Sequence, residues 1–167
     1  MSLIDDLLGD PDPTAPATPA VGEPTPEQRT VAKAAIVKYV RDFDYVSFVE
    51  LEKVVARHFS VTGDQGCVLQ PHNIVLWSRG STAFTECIME LVHEHAIYPW
   101  PADQLTYLMD GCLLGLPLVK RQPPPHGYRE PHWMPVVFRV QPLTEKPPRT
   151  PKARTAAKAK RRARANA

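Results

Sequence analysis

Residues 73–95, NIVLWSRGSTAFTECIMELVHEH, read as a short apolar strand, a turn and one amphipathic helix. Ile74 to Trp77 is β-branched and aromatic, Arg79-Gly80 interrupts it, and Ser81 is placed to accept from the N–H groups that open the next helix. Within that helix Phe84, Ile88, Leu91 and His95 recur at the spacing that buries one face. The opposite face is acidic: Glu86, Glu90 and Glu94 fall four residues apart with His93 beside them, and residues 82–95 contain no Lys or Arg.

Upstream, Thr25-Pro26-Glu27-Gln28 supplies an N-cap, a proline at the first helical position and a capping-box glutamine. Ala32, Ile36, Tyr39, Val40 and Phe43 then line one helical face. Tyr45-Val46 is extended, and Ser47-Phe48-Val49-Glu50 is a second capping box, opening a helix to about Phe59 that buries Leu51, Val54, Val55 and Phe59. Residues 60–73 are rich in turn formers and read as a loop or irregular hairpin. Downstream, Pro99 and Pro101 stop the acidic helix, and residues 102–109 add a short one. Residues 112–119 read as an apolar strand, followed by the loop QPPPHGYREPH and a returning strand at 133–140. Pro117 and Pro135 each remove a ladder donor, so both strands are expected at an edge.

Charge divides the 167 residues into three parts. Residues 1–24 carry five carboxylates (Asp5, Asp6, Asp10, Asp12, Glu23) and no Lys or Arg. Residues 142–167 carry nine basic residues against Glu145 alone. The middle, residues 25–141, is close to neutral. Both ends are dominated by Pro, Ala and charge and cannot build a core, so we expect disordered tails flanking one domain. In the N-terminal tail Leu3, Ile4, Leu7 and Leu8 among the aspartates are suited to form a helical turn or two against a protein partner; the alternative is an acidic tail that binds nothing.

The three cysteines, Cys67, Cys87 and Cys112, are widely spaced, which argues for reduced thiols and a cytoplasmic setting, either nucleoid-associated or in a host cytoplasm. No apolar run approaches the ~20 residues that span a bilayer. No glycine-rich phosphate loop, nucleophile elbow or H-E-x-x-H is present. His93 and His95 point apart on a helix, and Cys67, His72 and His58 have no standard zinc spacing. We therefore expect no catalysis, metal or cofactor.

The order helix, short strand, helix, helix, strand, long loop, strand across residues 25–141 resembles the winged helix-turn-helix superfamily in topology and patterning. The resemblance implies an α+β, winged helix-like domain with three main helices and a small antiparallel β-hairpin wing at 112–140. It places residues 81–95 at the recognition-helix position, where superfamily members usually enter the major groove. Three glutamates on that face oppose the phosphate field and suit a basic protein surface or solvent better.

Cations are available elsewhere. Lys120, Arg121, Arg129 and Arg139 surround the long loop with His126, Tyr128, His132 and Trp133, and Lys152, Arg154, Lys158, Lys160, Arg161, Arg162 and Arg164 fill the tail; the alternatives are a solvated loop that Tyr128 and Trp133 pin to the core and a tail that serves only solubility. The reading is a non-catalytic accessory or regulatory protein that holds DNA, or RNA, largely without sequence preference, through tail and wing. Its alternative is a protein-interaction or assembly module, with a possible homodimer, that uses Glu86, Glu90, Glu94 and the leucines near residue 7.

Overall fold

Thr25 opens the first helix as the local sequence requires: its hydroxyl accepts from Gln28 N at 3.2 Å and the Gln28 side chain accepts from Thr25 N at 2.8 Å. This helix, α1, runs Pro26–Phe43 and buries Ala32, Ile36 and Val40. In the computed structural model, residues 22–120 and 122–143 are described. The chain continues through β1 (Val46–Ser47), α2 (Phe48–Val55), β2 (Thr62–Leu69), β3 (Ile74–Gly80), α3 (Thr82–His93), β4 (Tyr98–Pro101), α4 (Gln104–Asp110), β5 (His132–Trp133) and β6 (Val136–Arg139). The fold is α+β, with four helices and two three-stranded sheets among the described residues.

Both further cap signals form where the sequence places them. Glu50 reaches back to Ser47 N at 3.0 Å to open α2, and Ser81 Oγ accepts from Phe84 N at 3.2 Å to open α3. Phe84, Ile88 and Leu91 are buried as expected. His95 is not: it lies beyond the helix end with a positive φ of 57°, is exposed, and stacks against Tyr98. Helix α2 also stops at Val55, short of Phe59; Leu51, Val55 and Phe59 are buried as expected, whereas Val54 faces outward toward α1 and is partly exposed.

The strands depart further from the sequence expectation. Of the two readings of residues 60–73, a loop or an irregular hairpin, the hairpin is what forms: residues 62–69 pair antiparallel with β3, with three register irregularities. Gly63 sits at one of them, where a Cβ would lie 2.6 Å from the Gly80 carbonyl oxygen, so the close approach of the two strands requires glycine. Residues 112–119 form no strand; their one ladder contact is a parallel bridge between Leu118 and Trp133. The expected return strand at 133–140 splits at Met134-Pro135. Its first half, β5, pairs parallel with β3, and its second half, β6, pairs antiparallel with both β1 and β4. An antiparallel hairpin at 112–140 is therefore not what these residues build. Pro135 stands at the sheet switch, and β6 is a central strand, because the missing proline donor falls between the two ladders.

The two sheets and the helices meet on an aromatic core. Phe48 stacks on Trp77 at 5.5 Å and meets Phe138 edge-on at 4.9 Å, while Tyr107 packs against Trp77 and, edge-on at 5.2 Å, against Trp133. Each polar atom the aromatics bring inside needs a partner. Tyr107 donates to the Val136 carbonyl at 2.6 Å and accepts from Phe48 N at 3.3 Å, and Trp77 Nε1 donates to Glu52 at 2.8 Å, whereas Trp133 Nε1 is buried with no partner among the described residues. Among the described residues no helix is long and apolar enough to cross a membrane.

Candidate nucleic-acid interface

The loop after Leu118 is tied at several points to the turn between β2 and β3. Val119 N donates to the Trp133 carbonyl at 2.9 Å and Trp133 N to that of Pro117 at 2.7 Å, which closes the loop's base. Farther out, Tyr128 N donates to the His72 carbonyl at 3.1 Å, and His132 N to that of Asn73 at 3.1 Å. Gly127, with φ of 74°, passes so close to the turn that a Cβ would lie 2.6 Å from the Pro71 carbonyl oxygen. The rings of Tyr128 and His132 stack at 3.8 Å. A loop of prolines, held at base and tip, is thus fixed in position without regular secondary structure.

This loop and turn border an open cavity of about 650 Å³, lined by His72, Gln122 and Pro123 to Pro125. Lys120 and Arg129 are exposed on the same loop, and neither forms a salt bridge among the described residues. The loop therefore offers two cations outside any salt bridge, Lys120 at its start and Arg129 next to half-buried Tyr128, with one exposed carboxylate, Glu130, following Arg129. That combination can hold phosphates and place a ring against a base. Arg121 lies outside the described residues, as do Lys152, Arg154, Lys158, Lys160, Arg161, Arg162 and Arg164 of the tail and Leu3, Ile4, Leu7 and Leu8.

Arg139 is placed differently from the loop cations. Its guanidinium makes a two-point contact with Asp44, Nε to Oδ1 at 2.8 Å and Nη2 to Oδ2 at 2.7 Å. It also lies 4.2 Å from the Tyr45 ring centre and 4.4 Å from that of Trp100. With its side chain only 12% exposed, it is a clamp between β6 and the α1–β1 corner. Donating to the Asp44 carboxylate holds its already high pKa higher still.

The glutamate stripe has internal partners. Arg29 reaches Glu86 at 2.8 Å and Glu90 at 3.1 Å, and Lys33 reaches Glu90 at 3.1 Å and Glu94 at 2.9 Å. The two cations stand four apart on α1 and the three carboxylates four apart on α3, so the helices meet as interleaved rows. The acidity that sets this helix against a duplex is thus largely neutralised by its own neighbour. Taken alone, α3 shows only its acidity; the matching four-residue spacing of Arg29 and Lys33 on α1 is the sequence signal for the pairing.

Among the described residues no group of three or more His, Cys, Asp or Glu side chains is arranged to hold a metal ion. Cys67, Cys87 and Cys112 are free thiols, and burial pushes the Cys67 pKa up to about 11, which keeps it protonated and inert. The buried Glu50 and the half-buried Glu52 have structural work: Glu50 completes a cap, and Glu52 accepts from Trp77. Comparison with known protein families, with curated proteins and with solved structures finds no match to this chain.

Proposed function

We infer that the protein is a non-catalytic accessory factor that binds nucleic-acid phosphates with little sequence preference. The observation that carries this reading is how charge is distributed: Arg29, Lys33, Lys38 and Arg139 are already paired with carboxylates, whereas Lys120 and Arg129 on the tied loop, like Arg41, Lys53 and Arg57 on the helical side, form no salt bridge among the described residues. The nine basic residues from Lys146 to Arg164 supply sequence-independent affinity, and the loop supplies orientation. The winged helix-turn-helix resemblance fits this reading in the succession of α1, α2 and α3, with the loop, not α3, as the contacting part. DNA and RNA phosphates are both suitable ligands for such a surface.

The test is binding of the intact chain to random duplex DNA across a salt series. Substituting Lys158, Lys160, Arg161 and Arg162 together by Gln should reduce the slope of log affinity against log salt by about 3 to 4, at ~0.9 for each phosphate no longer neutralised. Lys120→Ala with Arg129→Ala should reduce it by a further ~1 to 2. Absence of salt-sensitive binding by the intact chain near physiological ionic strength would overturn the reading.

A second reading, a protein-interaction or self-assembly module, is favoured by one surface. Leu105 and Leu108, more than half exposed, share the outer side of α4 with Met109, and Leu113 follows it. If that surface is an interface, the intact chain sediments as a dimer, and Leu105→Asp with Leu108→Asp returns it to a monomer.

A further inference from the structure

Between α1 and α2 lies an open groove of about 370 Å³. Ala35, Tyr39 and Phe43 of α1 line it at successive turns, and Val54 of α2 faces them. All four are partly exposed, and Val31, 53% exposed, extends the α1 stripe by one more turn. The remaining lining is charged. Lys38, Lys53 and Arg57 are exposed at its edges, and neither Lys53 nor Arg57 forms a salt bridge among the described residues. Of its two carboxylates, Asp42 is taken up by Lys38, and Glu50 is nearly buried and turned back onto Ser47. The groove therefore combines an apolar floor with a net cationic rim, the complement of an acidic amphipathic segment.

The chain carries such a segment. Residues 1–10, MSLIDDLLGD, set Leu3, Ile4, Leu7 and Leu8 among Asp5, Asp6 and Asp10 with no basic residue nearby. We propose that residues 3–10 dock in the α1–α2 groove of their own chain, with the leucines over Tyr39 and Phe43 and the aspartates against Lys53 and Arg57. Length permits it. Along α1, Ala35 to Phe43 lie roughly 14 to 26 Å from Pro26 at 1.5 Å per residue. The 14 residues from 11 to 24 span about 20 Å as a flexible chain and about 43 Å as polyproline II. An attached segment also acts at an effective concentration of about a millimolar or more, which favours it over a second copy. Docking covers the apolar floor and neutralises cations that would otherwise be open to phosphates. This inference stands whether or not the protein binds nucleic acid.

The test compares amide NMR spectra of the full-length protein and its full-length Leu7→Asp variant at two concentrations tenfold apart. The expected result is a set of shift changes at Ala35, Tyr39, Phe43, Val54 and Arg57, equal at both concentrations, with the rest of the domain unmoved. Lys53→Glu with Arg57→Glu should release the segment in the same way, and adding Asp5→Lys with Asp6→Lys to that variant should restore it. Changes confined to residues near position 7 would overturn the proposal. Groove changes that appear only at the higher concentration would assign the site to a second copy. Groove signals indifferent to Leu7→Asp but moved by a short duplex would assign it to nucleic acid, and either result refutes docking within the chain.

Discussion

Replacing Arg139 by alanine should cost the fold about 3 kcal/mol while leaving nucleic-acid affinity unchanged. The pair with Asp44 is two-pronged at 2.7 and 2.8 Å, but Asp44 is 39% exposed, so solvent screens part of it. Hydrogen bonds to charged groups contribute about 1.5 to 3 kcal/mol, and with that discount we take ~2 kcal/mol for the pair. The guanidinium also sits 4.2 and 4.4 Å from two ring centres, and each cation–π contact adds about 0.5 to 1 kcal/mol. For a domain of this size ~3 kcal/mol lowers the melting temperature by about 10 °C. Arg139→Lys should recover only a minor part, since an ammonium supplies neither the fork nor the flat stacking face. The assay is thermal unfolding by circular dichroism for wild type, Arg139→Ala, Asp44→Ala and the double variant, with a coupling of about 1 to 2 kcal/mol expected from the cycle. A melting temperature within about 2 °C of wild type for Arg139→Ala, or DNA affinity abolished at unchanged stability, would refute the clamp and return Arg139 to the binding surface.

Three other perturbations test the remaining structure. Glu86→Gln, Glu90→Gln and Glu94→Gln together should cost about 1 to 2 kcal/mol at low salt, at ~0.2 to 1 kcal/mol per exposed pair, and markedly less in 1 M salt. No loss at low salt would mean that the stripe is not engaged with α1. Burial raises the pKa of Glu52 above its usual 4.5, opposed by the Trp77 hydrogen bond, so its contribution to stability is present below that value and lost as pH climbs through the raised one. Relative to wild type, Glu52→Gln should thus be more favourable at pH 7 than at pH 4, read as the difference in melting temperature; the opposite trend would refute the assignment. At pH 8 the Cys67 thiol, raised to about 11 and buried, should resist a disulfide reagent until the protein unfolds, and mass spectrometry finding Cys67 modified in the native protein would contradict its placement.

The helix starts were legible in the sequence because each is completed within four residues. Thr25 with Gln28, Ser47 with Glu50, and Ser81 with Phe84 N satisfy the first-turn N–H groups locally, whatever the rest of the chain does. The buried faces of α1 and α3 followed for the same reason, from periodicity alone. Strand pairing did not, since an apolar run carries no address for its partner. Leu113 to Val119 has the composition of a strand, yet the ladder beside β3 is taken by β2 and β5, leaving a single bridge at Leu118, closed by Pro117 and Val119 on Trp133.

Charge roles divided in the same way. That Lys120 and Arg129 flank a proline-rich loop, and that Glu86, Glu90 and Glu94 share a helical face, are properties of the sequence. Whether a charge is spent inside the fold or left for a ligand depends on what arrives beside it, and those partners come from 57 to 95 positions away for Arg29, Lys33 and Arg139. Local hydrogen bonding and periodicity act over a few residues, so composition and order determined the helices and their caps. Coulomb pairing and sheet ladders act through space, so only the tertiary structure decided that the acidic stripe meets α1, that Arg139 is a clamp, and that a groove lies open between α1 and α2.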